Sequence, residues 1–207
     1  MQVVWFKRDL RVQDHAPLWH AAQCPGPLVT LYIYEPALWR QPDMSPRQYA
    51  CLYAALQDLK TSLARRGQIL VIHAGEAIEV LDQLKQKFSD FTLWSHQETG
   101  NFWTYERDRA VLRWARRRGI IWHEYQSGAV VRRLDNRDKW DTLWKEVMNA
   151  PIYPTPSFST PVLLESENLP EPDIFPTSIL FPGRRAAITR LVTFLTQSGF
   201  VAQLGDR

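Results

Sequence analysis

Val3-Val4-Trp5-Phe6, followed by Lys7-Arg8-Asp9-Leu10-Arg11-Val12-Gln13-Asp14 and then by Ala16-Pro17-Leu18, is the stretch on which the fold turns. Four apolar residues ending abruptly in charge read as a short strand buried on both faces. The charged loop gives way to a helix from Pro17 to about Gln23, and Cys24-Pro25-Gly26-Pro27 makes a turn. Leu28–Tyr34 is a second apolar, β-rich run. Strand, crossover helix, strand is the unit of a parallel sheet.

The unit repeats outward from there. Ser45-Pro46 opens a helix with a capping hydroxyl and a proline in its first turn. Tyr49, Leu52, Leu56, Leu59 and Leu63 give it an apolar face at three- and four-residue spacing, and Arg65-Arg66-Gly67 ends it. Ile69–His73 reads as a strand, Glu76–Phe88 as a helix, Phe91–Ser95 as a strand, Thr104–Arg118 as a helix and Ile120–Tyr125 as a fifth strand. The expectation is an α/β, Rossmann-like doubly wound sheet of five parallel strands with helices on both faces. In such sheets a ligand sits beyond the carboxyl ends of the strands at the topological switch point. That directs attention to the loops after Phe6, Tyr34, His73 and Ser95.

Several functions lose their support at once. No G-x-G-x-x-G follows the first strand, and neither a phosphate-binding G-x-x-x-x-G-K-[ST] nor a G-x-S-x-G nucleophile elbow occurs. The five histidines are scattered, and Cys24 and Cys51 make neither a disulfide framework nor a zinc motif. No metal site and no catalytic constellation is expected. A 45% hydrophobic and 23% charged composition in 207 residues excludes wholesale disorder. No apolar run approaches the roughly 18 residues of a membrane span. Lys7, Arg8 and Asp9 interrupt any leader peptide, so a cytoplasmic location is expected.

Charge is uneven. Residues 107–139 hold ten Lys/Arg against four Asp/Glu, although the whole chain is only +3. Arg113, Arg116 and Arg117 cluster with Arg118 at a helix C-terminus, which reads either as a solvated face favoured by the helix dipole or as a sequence-blind DNA-phosphate patch. Nine tryptophans are an excess; their default reading is large core anchors. Trp140 and Trp144 fall on one side of a helix spanning Asp138–Met148, a core or docking face. Eight of the fourteen prolines lie between Pro151 and Pro182, so that stretch is a linker or a segment tracking over the surface. A last amphipathic helix, Arg184–Gln197, carries Ile188, Leu191 and Leu195; left unpartnered, it predicts self-association.

The opening segment Trp5-Phe6-Lys7-Arg8-Asp9-Leu10-Arg11, with Asp14-His15 and Leu18, resembles the signature of the DNA photolyase/cryptochrome family. Phe6-Lys7 stands where Phe-Arg or His-Arg is usual, and His15 where Asn is usual. Asp43-Met44-Ser45-Pro46-Arg47-Gln48 is similar to the family's helix opening after strand two. Ser95-His96-Gln97-Glu98-Thr99-Gly100-Asn101 and Tyr105-Glu106-Arg107-Asp108 are similar to its loop after strand four and the arginine-rich helix that follows. Arg132-Arg133-Leu134 and Asn136-Arg137-Asp138-Lys139-Trp140 look like one bacterial branch.

The resemblance implies an N-terminal antenna-binding α/β domain over 1–130, a lid helix over 131–150, a Pro-rich linker over 151–183 and, from 184–207, the start of a helical domain. That helical domain would carry FAD, damaged-DNA recognition and the deoxyribodipyrimidine photo-lyase or blue-light-sensing chemistry of a full-length parent. The chain alone is expected to be non-catalytic. A flat antenna ring needs an apolar cleft, polar groups for its edge and cations for an acidic tail. The strand-end loops offer Trp5, Phe6, Arg8, Asp9, Tyr34, Glu35, Asp43, Met44, Arg47 and Glu106. Glu106 matches a position whose carboxylate meets the pterin in folate-binding members, but Tyr105 and Pro42 depart from their pattern. Methenyltetrahydrofolate, a deazaflavin, a flavin and an empty pocket all stay open. A stand-alone α/β nucleotide-binding or regulatory protein is the alternative reading.

Overall fold

A computed structural model describes residues 1–128, 130–132, 134–158, 161–173 and 183–197. The five expected strands are β1 (Gln2–Phe6), β2 (Leu28–Tyr34), β3 (Leu70–Ala74), β4 (Thr92–His96) and β5 (Ile121–Tyr125). They pair in parallel in the order β3-β2-β1-β4-β5. The crossover helices are α1 (Ala16–Gln23), α3 (Pro46–Ala64), α4 (Ala77–Phe88) and α5 (Phe102–Arg118). A single-turn helix, α2 (Pro36–Trp39), that the sequence pattern did not announce lies between β2 and α3.

Strand periodicity divides the core into two layers. Val3, Val29, Leu31, Val71 and Leu93 face one way, onto Val80, Leu81 and Leu84 of α4 and Val111, Trp114 and Ala115 of α5. Val4, Phe6, Leu28, Leu70 and Ile72 face the other way, onto Leu18 of α1 and Leu56, Leu59 and Leu63 of α3. Each helix starts and stops on a local signal. The Nδ1 of His15 accepts from the Leu18 N–H at 3.0 Å and caps α1. The Oγ of Ser45 accepts from Gln48 and caps α3, and Asn101 caps α5 through the Thr104 N–H. Gly119 ends α5 at φ 68°, a left-handed conformation that glycine adopts without strain.

The described part of the Pro-rich stretch is a strap over the sheet. The Asp14 N–H donates to the Tyr153 carbonyl, Phe158 and Leu169 pack on the α1/α3 layer, and Val162 and Leu164 pack on the α4/α5 layer. At the outer edge of β3 the Ile72 N–H donates to Ser166 Oγ and the Glu167 N–H to the Ile72 carbonyl. Backbone groups of an edge strand that would otherwise invite another chain are thereby occupied. Beyond the sheet lie α6 (Trp140–Asn149), entered through a 3-10 turn at Arg137–Lys139, and α7 (Arg184–Gln197). Residues 174–182 of the expected linker, the end of the chain from 198 and Arg133 lie outside the described residues. Among the described residues no helix is long and apolar enough to cross a membrane.

Candidate functional site

A cavity of about 360 Å³ opens between the carboxyl ends of β1 and β2 and the inner side of α3. Trp5, Phe6, Lys7 and Arg8 reach it from β1 and its loop, and Tyr32, Ile33 and Glu35 from β2. Leu38 and Trp39 of α2 and Met44, Gln48, Cys51, Leu52 and Ala55 in and before α3 form its opposite wall, and Glu98 and Arg107 complete it. Leu52 is therefore only half-buried, unlike Leu56, Leu59 and Leu63 one or more turns along the same face. Trp39 is held by stacking on Tyr34, with centroids 6.3 Å apart, and by an edge contact with Tyr49 at 5.3 Å.

The floor of the cavity continues into a buried charge cluster. Arg107 donates to Glu35 Oε2 at 2.6 Å, lies 2.9 Å from Asp108 and approaches Glu98 at 3.7 Å. Lys7 pairs with Asp108 at 3.1 Å and donates to the His96 carbonyl. Arg132 reaches back from the segment after β5 to Asp108, Glu124 and the Glu98 carbonyl. Both cations use aromatic faces as well. The Lys7 ammonium sits 4.4 Å from the Trp5 ring centroid and the Arg107 guanidinium 4.8 Å from it.

Burial alone would raise the Asp108 carboxyl, but Lys7, Arg107 and Arg132 hold it below its ordinary value. Burial lowers the Lys7 ammonium, against the pull of Asp108, and raises the Glu35 carboxyl, against the pull of Arg107. Two buried polar atoms of cavity-lining residues have no hydrogen-bond partner, Glu35 Oε1 and Trp39 Nε1.

A second buried cluster lies behind the loop after β1. Asp9 Oδ2 is 2.5 Å from His96 Nδ1 and 2.8 Å from His15 Nε2, the latter off the line of a hydrogen bond. Burial would raise the Asp9 carboxyl, yet the two imidazoles hold it well below its usual range. His15 goes down because of burial, with Asp9 opposing. These three side chains place ligand-type atoms within 4.8 Å of one another. Asp9 is bonded to His96 and accepts from the Lys7 N–H, which ties the loop after β1 to the end of β4, while His15 at the start of α1 lies against the same carboxylate.

Of the residues singled out in the sequence, Trp5, Phe6, Arg8, Glu35 and Met44 line the cavity. Asp9 is in the histidine cluster, and Tyr34 supports Trp39 from outside the lining. Asp43 accepts from the Asn101 side chain at 2.9 Å, Arg47 is exposed, and Glu106 pairs with Arg109 at 2.9 Å along α5. Arg113, Arg116 and Arg117 are on the exposed face of α5, away from the cavity lining. Sequence reasoning passed over Lys7, Trp39, Gln48, Glu98 and Arg107. A signal for Arg107 was present: Thr104, Asp108, Val111 and Ala115 form the buried stripe of α5, and position 107 borders it.

The chain matches the family model for DNA photolyase over residues 2–141. It is 46% identical over 74 residues, 34% of this chain and 15% of that protein, to the deoxyribodipyrimidine photo-lyase of Salmonella typhimurium. The crystal structure of a Synechocystis cryptochrome superposes with a TM-score of 0.77 at 23% identity, covering 96% of this chain and 46% of the cryptochrome. An archaeal photolyase from Sulfolobus tokodaii, solved with two FAD molecules and an implied novel light-harvesting cofactor, superposes with a TM-score of 0.69 at 22% identity, over 92% of this chain and 46% of its own. The chain thus spans less than half the length of these proteins. A matched segment that takes in the whole sheet, its crossover helices and the loops around the cavity places the chain in the DNA photolyase family, as an α/β domain of the kind found at the N-terminus of photolyases and cryptochromes.

Proposed function

We propose that this domain binds an antenna chromophore in the cavity beneath α3 and serves a photolyase or cryptochrome whose FAD lies in a separate helical domain. The observation that carries the reading is the cavity itself. Its volume of about 360 Å³ falls in the range of small-molecule sites. Trp5, Phe6, Tyr32 and Trp39 make its lining rich in aromatic residues, and Glu35, Gln48 and Arg8 add polar groups. Those features fit a flat heteroaromatic ring with a polar edge. When bound, such a chromophore supplies absorption of blue or near-ultraviolet light and passes the excitation on.

In this reading the aromatic residues shield the ring from water, and Arg107 orients Glu35. Arg8, whose side chain is 57% exposed, serves any acidic tail at the mouth. The light-harvesting cofactor implied for the Sulfolobus photolyase supports a flavin as one occupant. A deazaflavin and methenyltetrahydrofolate are the others. Repair of damaged DNA, or light sensing, belongs in this reading to the full-length protein in the cytoplasm. The exposed Leu191 and Val192 of α7 would then face the helical domain. The test is titration of the purified chain with riboflavin, FMN, a deazaflavin and methenyltetrahydrofolate. One of them binds with one-to-one stoichiometry and a dissociation constant of about 10 µM or lower, roughly −7 kcal/mol. Leu52→Trp, which fills the cavity from α3, abolishes that binding. Undiminished binding to a folded Leu52→Trp variant would remove the cavity from the account.

A further inference from the structure

We propose that the occupant of the cavity carries an anionic tail, a phosphate or carboxylate, which Arg8 holds at the mouth, and that Gly100 is the positioning residue that gives Arg8 its place there. The inference rests on the reading of the cavity as a chromophore pocket and adds to it the charge of the occupant.

A negative charge on the ligand has one place to go. Of the residues that line the cavity only Arg8 and Gln48 are exposed, so these two mark its mouth. The cations deeper in are already taken. Arg107 is bonded to Glu35 and lies against Asp108, and Lys7 is bonded to Asp108. An anionic group pushed among them would have to displace a carboxylate from a buried ion pair. Gln48 offers an amide without charge. Arg8, whose side chain is 57% exposed, meets the buried carboxylate of Glu98 from Nε at 3.1 Å. Among the described residues its two terminal nitrogens have no hydrogen bond. The planar fork that matches a phosphate or carboxylate is thereby left for an anion from outside.

Gly100 makes room for that fork. A Cβ on Gly100 would lie 2.7 Å from Nη2 and 3.0 Å from Cζ of Arg8, and 3.0 Å from Oε1 of Glu98. The guanidinium therefore rests on the bare backbone of the loop after β4, with the Glu98 carboxylate beside it. Gly100 is not among the glycines in the left-handed region, so its position asks for a missing side chain and not for an unusual backbone. The consequence is specific. A methyl group there leaves the loop where it is and moves the far end of the Arg8 side chain, which is the part able to shift. An exposed arginine ordinarily loses rotamer freedom when it binds an anion. One already seated on a glycine and against a buried carboxylate loses less, and so binds the anion more tightly.

The test is fluorescence titration of the full chain with riboflavin and FMN, which share ring and tail and differ by the terminal phosphate. At low salt the wild type binds FMN about fivefold more tightly than riboflavin, the upper range for an ion pair at a half-exposed site. The preference declines as salt is raised toward about 1 M. Arg8→Gln brings FMN down to the affinity of riboflavin, while riboflavin itself changes by less than about twofold. Gly100→Ala also cuts the preference to less than about twofold, with riboflavin affinity and the thermal midpoint unchanged, because only the end of Arg8 has moved. Equal affinity of the wild type for the two flavins overturns the inference while leaving the pocket reading intact, and so does a preference that survives Arg8→Gln. A preference that survives Gly100→Ala, or a Gly100→Ala chain that does not fold, overturns the positioning role of Gly100. Binding of neither flavin to the wild type overturns the inference together with the flavin form of the pocket reading.

Discussion

The carboxyl edge of the sheet has two halves that solve the same problem in opposite ways. Between β1 and β4, where the strand order reverses, Lys7 bridges to the His96 carbonyl and Asp108, and Arg132 closes over them. Between β1 and β2 the same edge stays open beneath α3 and becomes the cavity. The general rule for open α/β sheets places ligands at the switch point. Here the switch point is filled by the protein's own charges and the room lies one strand over. Lys7 and Arg107 belong to both halves, so the closed half fixes the floor of the open one.

That contrast sets the sizes of the expected effects. The largest belongs to the closed half. Asp108→Ala leaves Lys7, Arg107 and Arg132 without their common carboxylate in a site where its own side chain is 4% exposed. Removing one partner from a buried pair costs about 3–5 kcal/mol, so denaturant unfolding should shift by that amount. A loss below about 1 kcal/mol would mean that the cluster contributes little and that the two halves are not different in kind.

The open half should respond in the opposite direction. Ala55→Leu adds bulk to the cavity wall on a helix that favours leucine. Stability should stay level or rise by about 0.5–2 kcal/mol, as cavity filling commonly gives, while riboflavin binding is lost. A destabilisation of the size seen for Asp108→Ala would show the space to be packed rather than open.

The smallest effect concerns the histidine cluster that anchors the loop behind Arg8. Burial holds His15 below its ordinary value of 6.5, so on acidification the unfolded chain takes up this proton before the folded one does. Stability should therefore decline as pH falls below about 6.5, by on the order of 1 kcal/mol at pH 5. The depressed carboxyls of Asp9 and Asp108 act elsewhere: their contribution is present above their ordinary value of 3.8 and is lost only below it. His15→Asn, which keeps a capping side chain, should flatten the profile between pH 7 and 5. Thermal melts across that range are the check, and parallel profiles for the two proteins would contradict it.

The fold was legible because each signal was local. Ser45-Pro46, Asn101 and Gly119 mark helix ends by their own chemistry, and the apolar runs at Val3–Phe6 and Leu28–Tyr34 need no partner to be recognised as buried strands. The site was legible only in part, because nearness to a strand end does not say which way a side chain points. Trp5, Phe6 and Glu35 turn into the cavity wall. Asp9, between them in the chain, turns instead to His96, 87 residues away, and Asp43 is bonded to Asn101, 58 residues away. Trp39 escaped notice because the turn of helix that carries it, opened by Pro36, is too short to leave a periodic pattern.

The account's central claim is that a chromophore occupies the space under α3, and Cys51 allows it to be tested in place. Cys51 lines the cavity, whereas Cys24, at the end of α1, does not, and both thiols are free and half-buried. The measurement is the rate of alkylation at each cysteine by N-ethylmaleimide, read by peptide mass, with and without saturating riboflavin. The account predicts at least about tenfold slower labelling of Cys51 with Cys24 unchanged, as expected when a ligand buries most of its surface against the cavity wall. Equal rates at Cys51 with and without bound riboflavin would contradict it.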